Sequence, residues 1–238
     1  MKNEIIEFKE VTKYYKFNGF KQTILDGFTF QVYKNELVLL KGASGSGKST
    51  ILNLIMGIEK PNEGAIFINH FDNDRTEQIR TNITVLSERE LIKMRKNTFG
   101  IIFQFFNLDP LLTVLENVYY PHYILSPVKK VNSFEEKAIS FLESLDIVDR
   151  ANHFPSELSS GEKQRVSICR ALFNNPAILL ADEPTGNLDE ENSKKIFELL
   201  WNLKNELQIT VIIATHANPD IDWKPRVIDL YDMTNSER

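Results

Sequence analysis

The sequence has little of what marks a secreted or membrane-spanning protein. Its single cysteine, Cys169, excludes an intrachain disulfide and fits a reducing compartment. No apolar run approaches the length of a transmembrane helix, and the first residues, MKNEIIEFKE, are charged where a signal peptide would be apolar. We therefore expect a cytoplasmic protein, in which any membrane role comes through a partner.

Basic residues are not in excess either. The 238 residues include 28 lysines and arginines against 33 aspartates and glutamates, so the formal net charge at pH 7 is -5. Because nucleic-acid-binding proteins usually carry a basic excess, we expect no nucleic-acid partner. With 42% hydrophobic and 26% charged residues, the composition fits an ordinary globular domain.

Strand-like runs alternate with helical patterns, which predicts an α/β fold. Short apolar runs typical of strands lie at 36–40, 99–104, 178–182, 210–215 and 226–230. One helical stripe between two of these runs is formed by Ile196, Leu199, Leu200, Leu203 and Leu207. Strands that alternate with helices imply a mostly parallel sheet covered by helices.

Three regions depart from this alternation. Near the N-terminus, Phe28, Phe30 and Val32 alternate with polar residues, which predicts an antiparallel β region. Residues 105–175 have few strand-like runs and several helical ones, so we expect a helical insertion there. The polar stretch 70–84 is interpreted as a solvated surface loop.

A glycine-rich segment, GASGSGKST at 42–50, fits the pattern G-x-x-x-x-G-K-[ST] between a predicted strand and a predicted helix. Glycines permit close approaches that side chains would block, so successive backbone N–H groups can surround phosphate oxygens. Lys48 can reach the β- and γ-phosphates, and the Ser49 hydroxyl can bind Mg²⁺. The predicted ATP-binding residues here are Gly42, Ala43, Ser44, Gly45, Ser46, Gly47, Lys48, Ser49 and Thr50. The alternative is a glycine-serine loop that matches by chance.

Polar side chains end several predicted strands, at the edge where open α/β sheets bind ligands. Asp182 can hold Mg²⁺, and Glu183 can orient and partly deprotonate an attacking water. Gln104 could contact Mg²⁺ and the same water, while His216 could contact the γ-phosphate. The alternatives are a solvated acidic turn for the carboxylates, a polar strand cap for Gln104 and a surface histidine for His216.

The segment LSSGEKQRVSICRAL at 158–172 resembles the signature sequence of ABC ATPases, whose usual form is LSGGQ. The order of motifs agrees with that family: phosphate loop, glutamine loop, signature, acidic strand, GNLD segment and histidine. The segments at 103–118 and 182–189 are similar to those of lipoprotein-release, macrolide-export and cell-division ATPases. The resemblance covers nearly the whole chain and implies a P-loop NTPase (RecA-like) fold.

The resemblance also implies a domain organisation and partners. Residues 1–238 would form a single ABC ATPase domain, with a catalytic core at 1–104 and 176–238 and a helical signature subdomain at 105–175. Two copies would form a homodimer that traps two ATP with Mg²⁺ and drives integral membrane permease subunits. The protein would then be cytoplasmic and peripheral on the inner face of the cell membrane.

Individual residues match positions of known role in that family. Tyr15 matches the aromatic residue that stacks on adenine, although Tyr14 is easily confused with it and Tyr15 could be an ordinary strand tyrosine. The residues that match catalytic positions are Lys48, Gln104, Glu183 and His216. The residues that match Mg²⁺ ligands are Ser49, Gln104 and Asp182. The residues that match contacts with the ATP of the opposite copy are Ser159, Ser160, Gly161, Glu162 and Asp189.

The signature departs from its usual form at two positions. Ser160 replaces the first glycine and adds a Cβ where backbone meets phosphate, and Glu162 replaces glutamine and adds negative charge. Ser159 and Glu162 form an S-x-x-E capping pattern, so a helix N-terminus can present N–H groups and a hydroxyl to an anion. The alternative is a plain helix cap.

Other functions remain open at this point. FFNLDPLL at 105–112 could contact a permease or pack inside the helical insertion. The chain could also be a soluble ABC-type ATPase without a permease, or a regulatory cassette that binds ATP without hydrolysis. Retained Glu183 and His216 argue against the regulatory cassette. The spacing from Lys48 to Leu158 is too short for the coiled coils of the DNA-repair type.

Overall fold

The computed structural model describes residues 3–17, 19–71, 78–125, 131–217 and 223–230. Within these ranges the strands are β1 (Glu4–Phe17), β2 (Phe20–Tyr33), β3 (Leu37–Lys41), β4 (Glu63–Phe71), β5 (Gln78–Asn82), β6 (Phe99–Ile102), β7 (Ile178–Asp182), β8 (Thr210–Ala214) and β9 (Arg226–Asp229). The α-helices are α1 (Lys48–Ile55), α2 (Glu88–Thr98), α3 (Val114–Tyr123), α4 (Val131–Ser144), α5 (Ser160–Leu172) and α6 (Glu190–Leu207). Short 3-10 turns occur at Ile83–Val85, Val148–Arg150 and Pro155–Glu157. The predicted α/β class is confirmed.

Among the described residues, five parallel strands form the central sheet, in the order β6–β7–β8–β3–β9. Alternate side chains point to opposite faces, and each face packs into its own apolar core. In β3, Val38 and Leu40 belong to the core shared with the antiparallel sheet, whereas Leu37 and Leu39 belong to the core shared with helices α3 to α6. Burial on both faces explains why β3, β7 and β8 are largely continuous apolar runs in the sequence, whereas β9, at the edge of the sheet, is mostly exposed.

Four antiparallel strands form the second sheet, in the order β2–β1–β4–β5. The interpretation of 70–84 as a solvated loop is wrong in part, because β4 continues to Phe71 and β5 occupies Gln78–Asn82 at the edge of this sheet. The side chains of β5 are mostly exposed, and an exposed edge strand reads as a polar segment in the sequence. Residues 72–77 of the predicted loop lie outside the described residues.

Helices α3, α4 and α5 all lie in the segment 105–175, where a helical insertion is predicted. The division into a core and a separate helical subdomain stays a prediction. In α6 the predicted stripe is right for Ile196, Leu200 and Leu203, which are buried, but wrong for Leu207, which is 47% exposed. Among the described residues, no helix combines the length and the apolar character needed to span a bilayer.

The carboxyl ends of β3, β7 and β8 meet at one edge of the central sheet. In the strand register, Leu40 of β3 and Asp182 of β7 both lie opposite Ala214 of β8. The glycine-rich loop follows β3, and His216 follows β8 by two residues. The segments with predicted phosphate, metal and water contacts therefore converge on this edge.

Gly64, in β4, is a position where the backbone excludes a side chain. Its φ is +83°, and a Cβ atom would lie 2.2 Å from the carbonyl oxygen of Glu10 in β1. Gly19 has the same φ of +83°, but its Cβ would meet no described atom within 4 Å. Alanine at either position should cost about 1–2 kcal/mol of backbone strain, and the clash should cost Gly64→Ala about 1–3 kcal/mol more. Urea unfolding of both variants measures this difference, and equal losses would contradict the close approach of β4 to β1.

Candidate active site

The loop between β3 and α1 is folded around the ammonium group of Lys48. Lys48 Nζ donates hydrogen bonds to the carbonyl oxygens of Gly42 (2.9 Å) and Ala43 (3.0 Å). A Cβ on Gly42 would lie 2.2 Å from Ser46 Oγ and 2.9 Å from Ser46 Cβ, so a side chain at position 42 would displace Ser46. Gly47 caps α1 with a left-handed φ of 98°. The first N–H groups of α1 have no partner within the helix, which is the arrangement that binds phosphate oxygens.

Glu183 lies just beyond β7 in a backbone conformation that only a few non-glycine residues adopt. Its φ is +45°, in the left-handed region. Its N–H donates to the carbonyl oxygen of Ala214 (2.8 Å), and its own carbonyl oxygen accepts from the N–H of Gly186 (3.1 Å). Its carboxylate lies 3.5 Å from Lys48 Nζ through Oε1 and 3.0 Å from His216 Nδ1 through Oε2. The structure therefore brings three of the predicted catalytic residues into contact.

Asp182, at the end of β7, has the surroundings expected of a ligand to a hard cation. Burial first, and then the charge of Glu183, raise its pKa, while a hydrogen bond with Ser49 and the charge of Lys48 oppose the rise. Its Oδ1 is buried and has no hydrogen-bond partner among the described residues. An unpartnered carboxylate oxygen beside a serine hydroxyl fits Mg²⁺, which prefers oxygen ligands.

Few other side chains of the described residues could serve as ligands for such a cation. Across the described part of the chain, no three His, Cys, Asp or Glu side chains form a group that could hold a metal. Ser49 forms a hydrogen bond with Asp182, so its hydroxyl oxygen could join Asp182 on the cation. Phosphate and water oxygens could fill the remaining positions.

A cavity of about 760 Å³ lies over the loop. The predicted residues that line it are Tyr15, Ala43, Ser44, Gly45, Gly47, Lys48, Ser49, Thr50, Gln104, Glu183 and His216. Gly42, Ser46 and Asp182 are not among its lining residues. Gln22 and Ile24 line it without having been predicted; Gln22 lies opposite Tyr15 in the β1–β2 register, so pairing across the hairpin could have identified it.

Tyr15, rather than Tyr14, lines the cavity. Its hydroxyl donates to Glu59 Oε2 (2.6 Å) and lies 3.4 Å from Thr50 Oγ1. Lys13 Nζ lies 4.8 Å from the centroid of the Tyr15 ring and 2.8 Å from Glu59 Oε2. Burial and the hydrogen bond to Glu59 raise the pKa of Tyr15. These contacts fix the orientation of a ring that is still 38% exposed.

Ser159 caps α5 as the S-x-x-E pattern predicts. Its hydroxyl and its backbone N–H both donate to Glu162 Oε2, at 2.7 and 2.8 Å, and the N–H of Glu162 donates to the hydroxyl oxygen (3.3 Å). Glu162 Oε1 accepts from Arg150 Nε (2.9 Å). The bonds from Ser159, followed by the contact with Arg150, lower the pKa of Glu162 to about 2. Ser160 is the exposed first residue of α5, where an ordinary helical backbone requires no glycine.

The signature residues and the cavity lie on different surfaces of the chain. None of the four residues 159–162 is among the described residues that line the cavity. They lie instead beside the start of α6, where a Cβ on Gly161 would be 3.6 Å from Asn192 Oδ1. Asn192 donates from its N–H to Asp189 Oδ1 (2.8 Å) and from Nδ2 to Asp189 Oδ2 (2.7 Å). Asp189 and the signature therefore share one surface.

A half-buried arginine joins the loop after β6 to α5. Arg170 donates to the carbonyl oxygens of Phe106 (2.6 Å) and Asn107 (2.5 Å), and burial lowers its pKa to about 10. The carbonyl oxygen of Arg170 accepts from His122 Nε2 (3.0 Å). The His122 ring stacks on Phe173, with 4.8 Å between ring centroids. No motif identifies these contacts in the sequence, because their partners are far apart along the chain.

The same loop contacts the segment before α6 and exposes part of its apolar surface. Asn187 Nδ2 donates to the carbonyl oxygen of Gln104 (2.7 Å). Phe105 and Leu111 are 70% and 83% exposed, whereas Leu108 packs against the core of α3 to α6. Segment 105–112 therefore combines an exposed apolar surface with internal packing.

One protein family matches most of this chain. The family model described as ABC transporter matches residues 25–186, which include the phosphate loop, the signature and the acidic strand. An uncharacterized ABC transporter ATP-binding protein of Methanocaldococcus jannaschii, MJ0796, is 41% identical over 96% of this chain and 94% of its own length. The lipoprotein-releasing system ATP-binding protein LolD of Treponema denticola is 37% identical over 94% of this chain and 96% of its own length.

Solved structures of the same kind share the fold. The dimeric structure of MJ0796, described as a bacterial ABC transporter cassette, has a TM-score of 0.77 at 40% identity and covers 90% of this chain and 88% of that one. A dimeric post-hydrolysis state of the same cassette with bound ADP and Pi has a TM-score of 0.76 at 38% identity, with the same coverage. The predicted P-loop NTPase fold is confirmed.

His122 gives the stability of the fold a pH dependence of defined sign. Burial, aided by the charges of Arg170, Lys137 and Lys96, lowers its pKa from 6.5 to about 4 despite the bond to the Arg170 carbonyl. Between these values the unfolded chain takes up a proton that the folded chain does not, so stability falls as the pH falls. We expect His122→Gln to reduce the stability lost between about pH 7 and about pH 5 by up to about 2 kcal/mol. Urea unfolding at both pH values tests this, and equal losses in the two proteins would exclude His122 as the responsible group.

Proposed function

The chain belongs to the ABC transporter family of ATP-binding proteins, and on this premise we propose that it is the ATP-hydrolysing subunit of a membrane transporter. As a member of that family it binds ATP and hydrolyses it. In the proposal, two copies associate head to tail around two Mg-ATP, and this closure drives permease subunits. The observation that carries it is that the cavity holds Lys48 and Glu183 while the signature lies on another surface of the same chain. A second copy can bring the two together.

The base and ribose end of the nucleotide would bind at the β1–β2 hairpin. Tyr15 is exposed at the cavity wall and presents its ring for stacking on adenine. Because Lys13 lies over the ring and Glu59 holds its hydroxyl, the ring is fixed before the nucleotide arrives. A fixed ring loses little conformational freedom on binding, which favours affinity.

The triphosphate would bind over the loop and the start of α1. The first N–H groups of α1 have no partner within the helix and can donate to phosphate oxygens. Lys48 would exchange its two carbonyl partners for phosphate oxygens, which are charged and therefore stronger acceptors. Ser49, Asp182 and Gln104 would hold Mg²⁺, which when bound neutralises part of the charge on the phosphates.

Glu183 is the proposed general base. When Lys48 binds the phosphates, the Glu183 carboxylate keeps its contact with His216 and can accept a proton from the attacking water. The exposed His216 side chain can contact the γ-phosphate at the same time. The strained turn at Glu183 holds the carboxylate in place, so the carboxylate does not have to be reoriented during the reaction.

The second copy would supply the remaining contacts. The start of α5 would offer backbone N–H groups to the γ-phosphate, and the Ser159 hydroxyl would join them by exchanging its bond to Glu162 for one to a phosphate oxygen. Together these groups would offset negative charge on the transferred group. Ser160 brings its Cβ to this contact, and its exposed place at the first helical position lets the side chain turn toward solvent. Asp189 lies on the same surface and would link the two ATP sites.

A groove between α2, α3 and the loop after β6 is the proposed contact for the permease. It has a volume of about 320 Å³, and its apolar lining includes Ile92, Phe103, Pro121 and Leu125. Phe105, two residues after Phe103, adds an exposed apolar side chain. The family relation to lipoprotein-releasing ATPases favours a transporter of that subgroup, with this subunit peripheral on the cytoplasmic face of the membrane.

Glu183→Gln removes the base while keeping the size of the side chain. We expect hydrolysis to fall by at least about 100-fold, because a general base contributes about that much, while ATP binding persists. The variant should accumulate as an ATP-bound dimer, seen by light scattering on a sizing column. Glu206→Gln, the same change at an exposed position near the end of α6, is the control. Near-normal turnover of Glu183→Gln would remove Glu183 from this role.

If the protein has a permease partner, we expect it to associate stably with the membrane fraction. The protein, isolated from detergent-solubilised membranes of its native host, should co-purify with an integral membrane protein. Phe105→Ser together with Leu111→Ser should reduce that association while leaving ATP hydrolysis by the isolated chain in place, because both side chains are exposed. Recovery of the chain without any integral membrane protein would favour an ABC-type ATPase that works without a permease.

A further inference from the structure

We propose that Arg150 is a positioning residue of the signature. Its guanidinium group neutralises the negative charge that Glu162 adds at the start of α5. This inference rests on the proposed head-to-tail dimer, in which the start of α5 faces the ATP of the second copy. Arg150 acts through Glu162 and needs no contact with the nucleotide.

The carboxylate of Glu162 has a complete set of partners in a single chain. Oε2 accepts the N–H and the hydroxyl of Ser159, and Oε1 accepts Arg150 Nε at 2.9 Å. The Arg150 side chain is 45% exposed and the Glu162 side chain 27% exposed, so solvent screens the pair only in part. One arginine therefore lies at the same helix end as the proposed phosphate contact.

The backbone around Arg150 is fixed, so its side chain starts from a defined position. The N–H of Arg150 donates to the carbonyl oxygen of Ile147 (3.0 Å), and its carbonyl oxygen accepts from the N–H of His153 (2.9 Å). The buried Ile147 and the half-buried Val148 anchor the turn in the core of α3 to α6. The rigid turn therefore positions the Arg150 guanidinium beside α5.

The need for this cation follows from the chemistry of the signature. A glutamine at position 162 could make the same cap with its carbonyl oxygen and would carry no charge. Glu162 is ionised at neutral pH, because its pKa is about 2. A carboxylate beside a phosphate-binding helix end opposes the binding of another anion, and a neighbouring arginine offsets that repulsion.

The competing explanation is that Arg150 only ties the turn at Val148–Arg150 to α5. Both explanations predict a loss when Arg150 is replaced, so a single variant cannot separate them. The two explanations make different predictions once the negative charge is removed. Glu162→Gln abolishes the need for a compensating cation, but the turn at Val148–Arg150 would still need its link to α5.

The test measures the ATP concentration for half-maximal dimerisation of the full chain, with Glu183→Gln present throughout to prevent hydrolysis. Arg150→Gln should raise this concentration about three- to fivefold, as expected for a partly exposed charge pair. With Glu162→Gln also present, Arg150→Gln should change it by less than about twofold. Arg150→Lys should keep most of the affinity, and the loss in Arg150→Gln should shrink as salt is added.

Arg80→Gln is the matched control, because Arg80 also pairs with a glutamate, Glu7, but lies on the antiparallel sheet. It should leave the ATP concentration for dimerisation unchanged. A loss in Arg150→Gln that persists undiminished with Glu162→Gln would assign Arg150 to the structural tie, and no loss at all would overturn the inference alone. If Glu183→Gln fails to dimerise with ATP, the proposed function fails and the inference with it.

Discussion

A buried positive charge organises the active end of this molecule. Lys48 is only 6% exposed, and a cation removed from water must be surrounded by oxygen atoms. Two carbonyl groups of its own loop and the carboxylate of Glu183 meet that need. The glycines of the loop let the carbonyl groups turn inward, and the turn after β7 brings Glu183 within reach. Because a triphosphate would compete for the same ammonium group, nucleotide binding would also free the carboxylate that is proposed to act next.

The parts of the site that could be predicted from the sequence are those that depend on short stretches of chain. The loop at 42–50 is one continuous segment, and its strand and helix neighbours could be recognised from local patterns. Asp182, Glu183 and His216 follow because parallel strands end at one edge of a sheet, so the ends of β7 and β8 have to meet. The cap at Ser159 and Glu162 spans only one helical turn.

The parts that could not be predicted depend on distant pairs or on exposure. Arg170 binds carbonyl groups more than sixty residues away, and no local pattern records such a contact. The sequence of β5 resembles a loop because an edge strand with exposed side chains lacks the apolar alternation that marks a strand. Leu207 fits the helical stripe of α6, but at the last residue of the helix it has passed beyond the core. The left-handed backbone at Glu183 has no sequence signal, since glycine is absent there.

The double attachment of the loop after β6 has a consequence for timing. Gln104 is bound through its carbonyl oxygen to Asn187, and Phe106 is bound through its carbonyl oxygen to Arg170 of α5. A displacement of this short segment therefore pulls on the signature helix and on the segment before Asp189 in the same instant. In the proposed dimer, the two groups that a chain would lend to its neighbour's ATP would move together with Gln104 of its own site, so a mechanical load on the exposed Phe105 would reach both ATP sites at once.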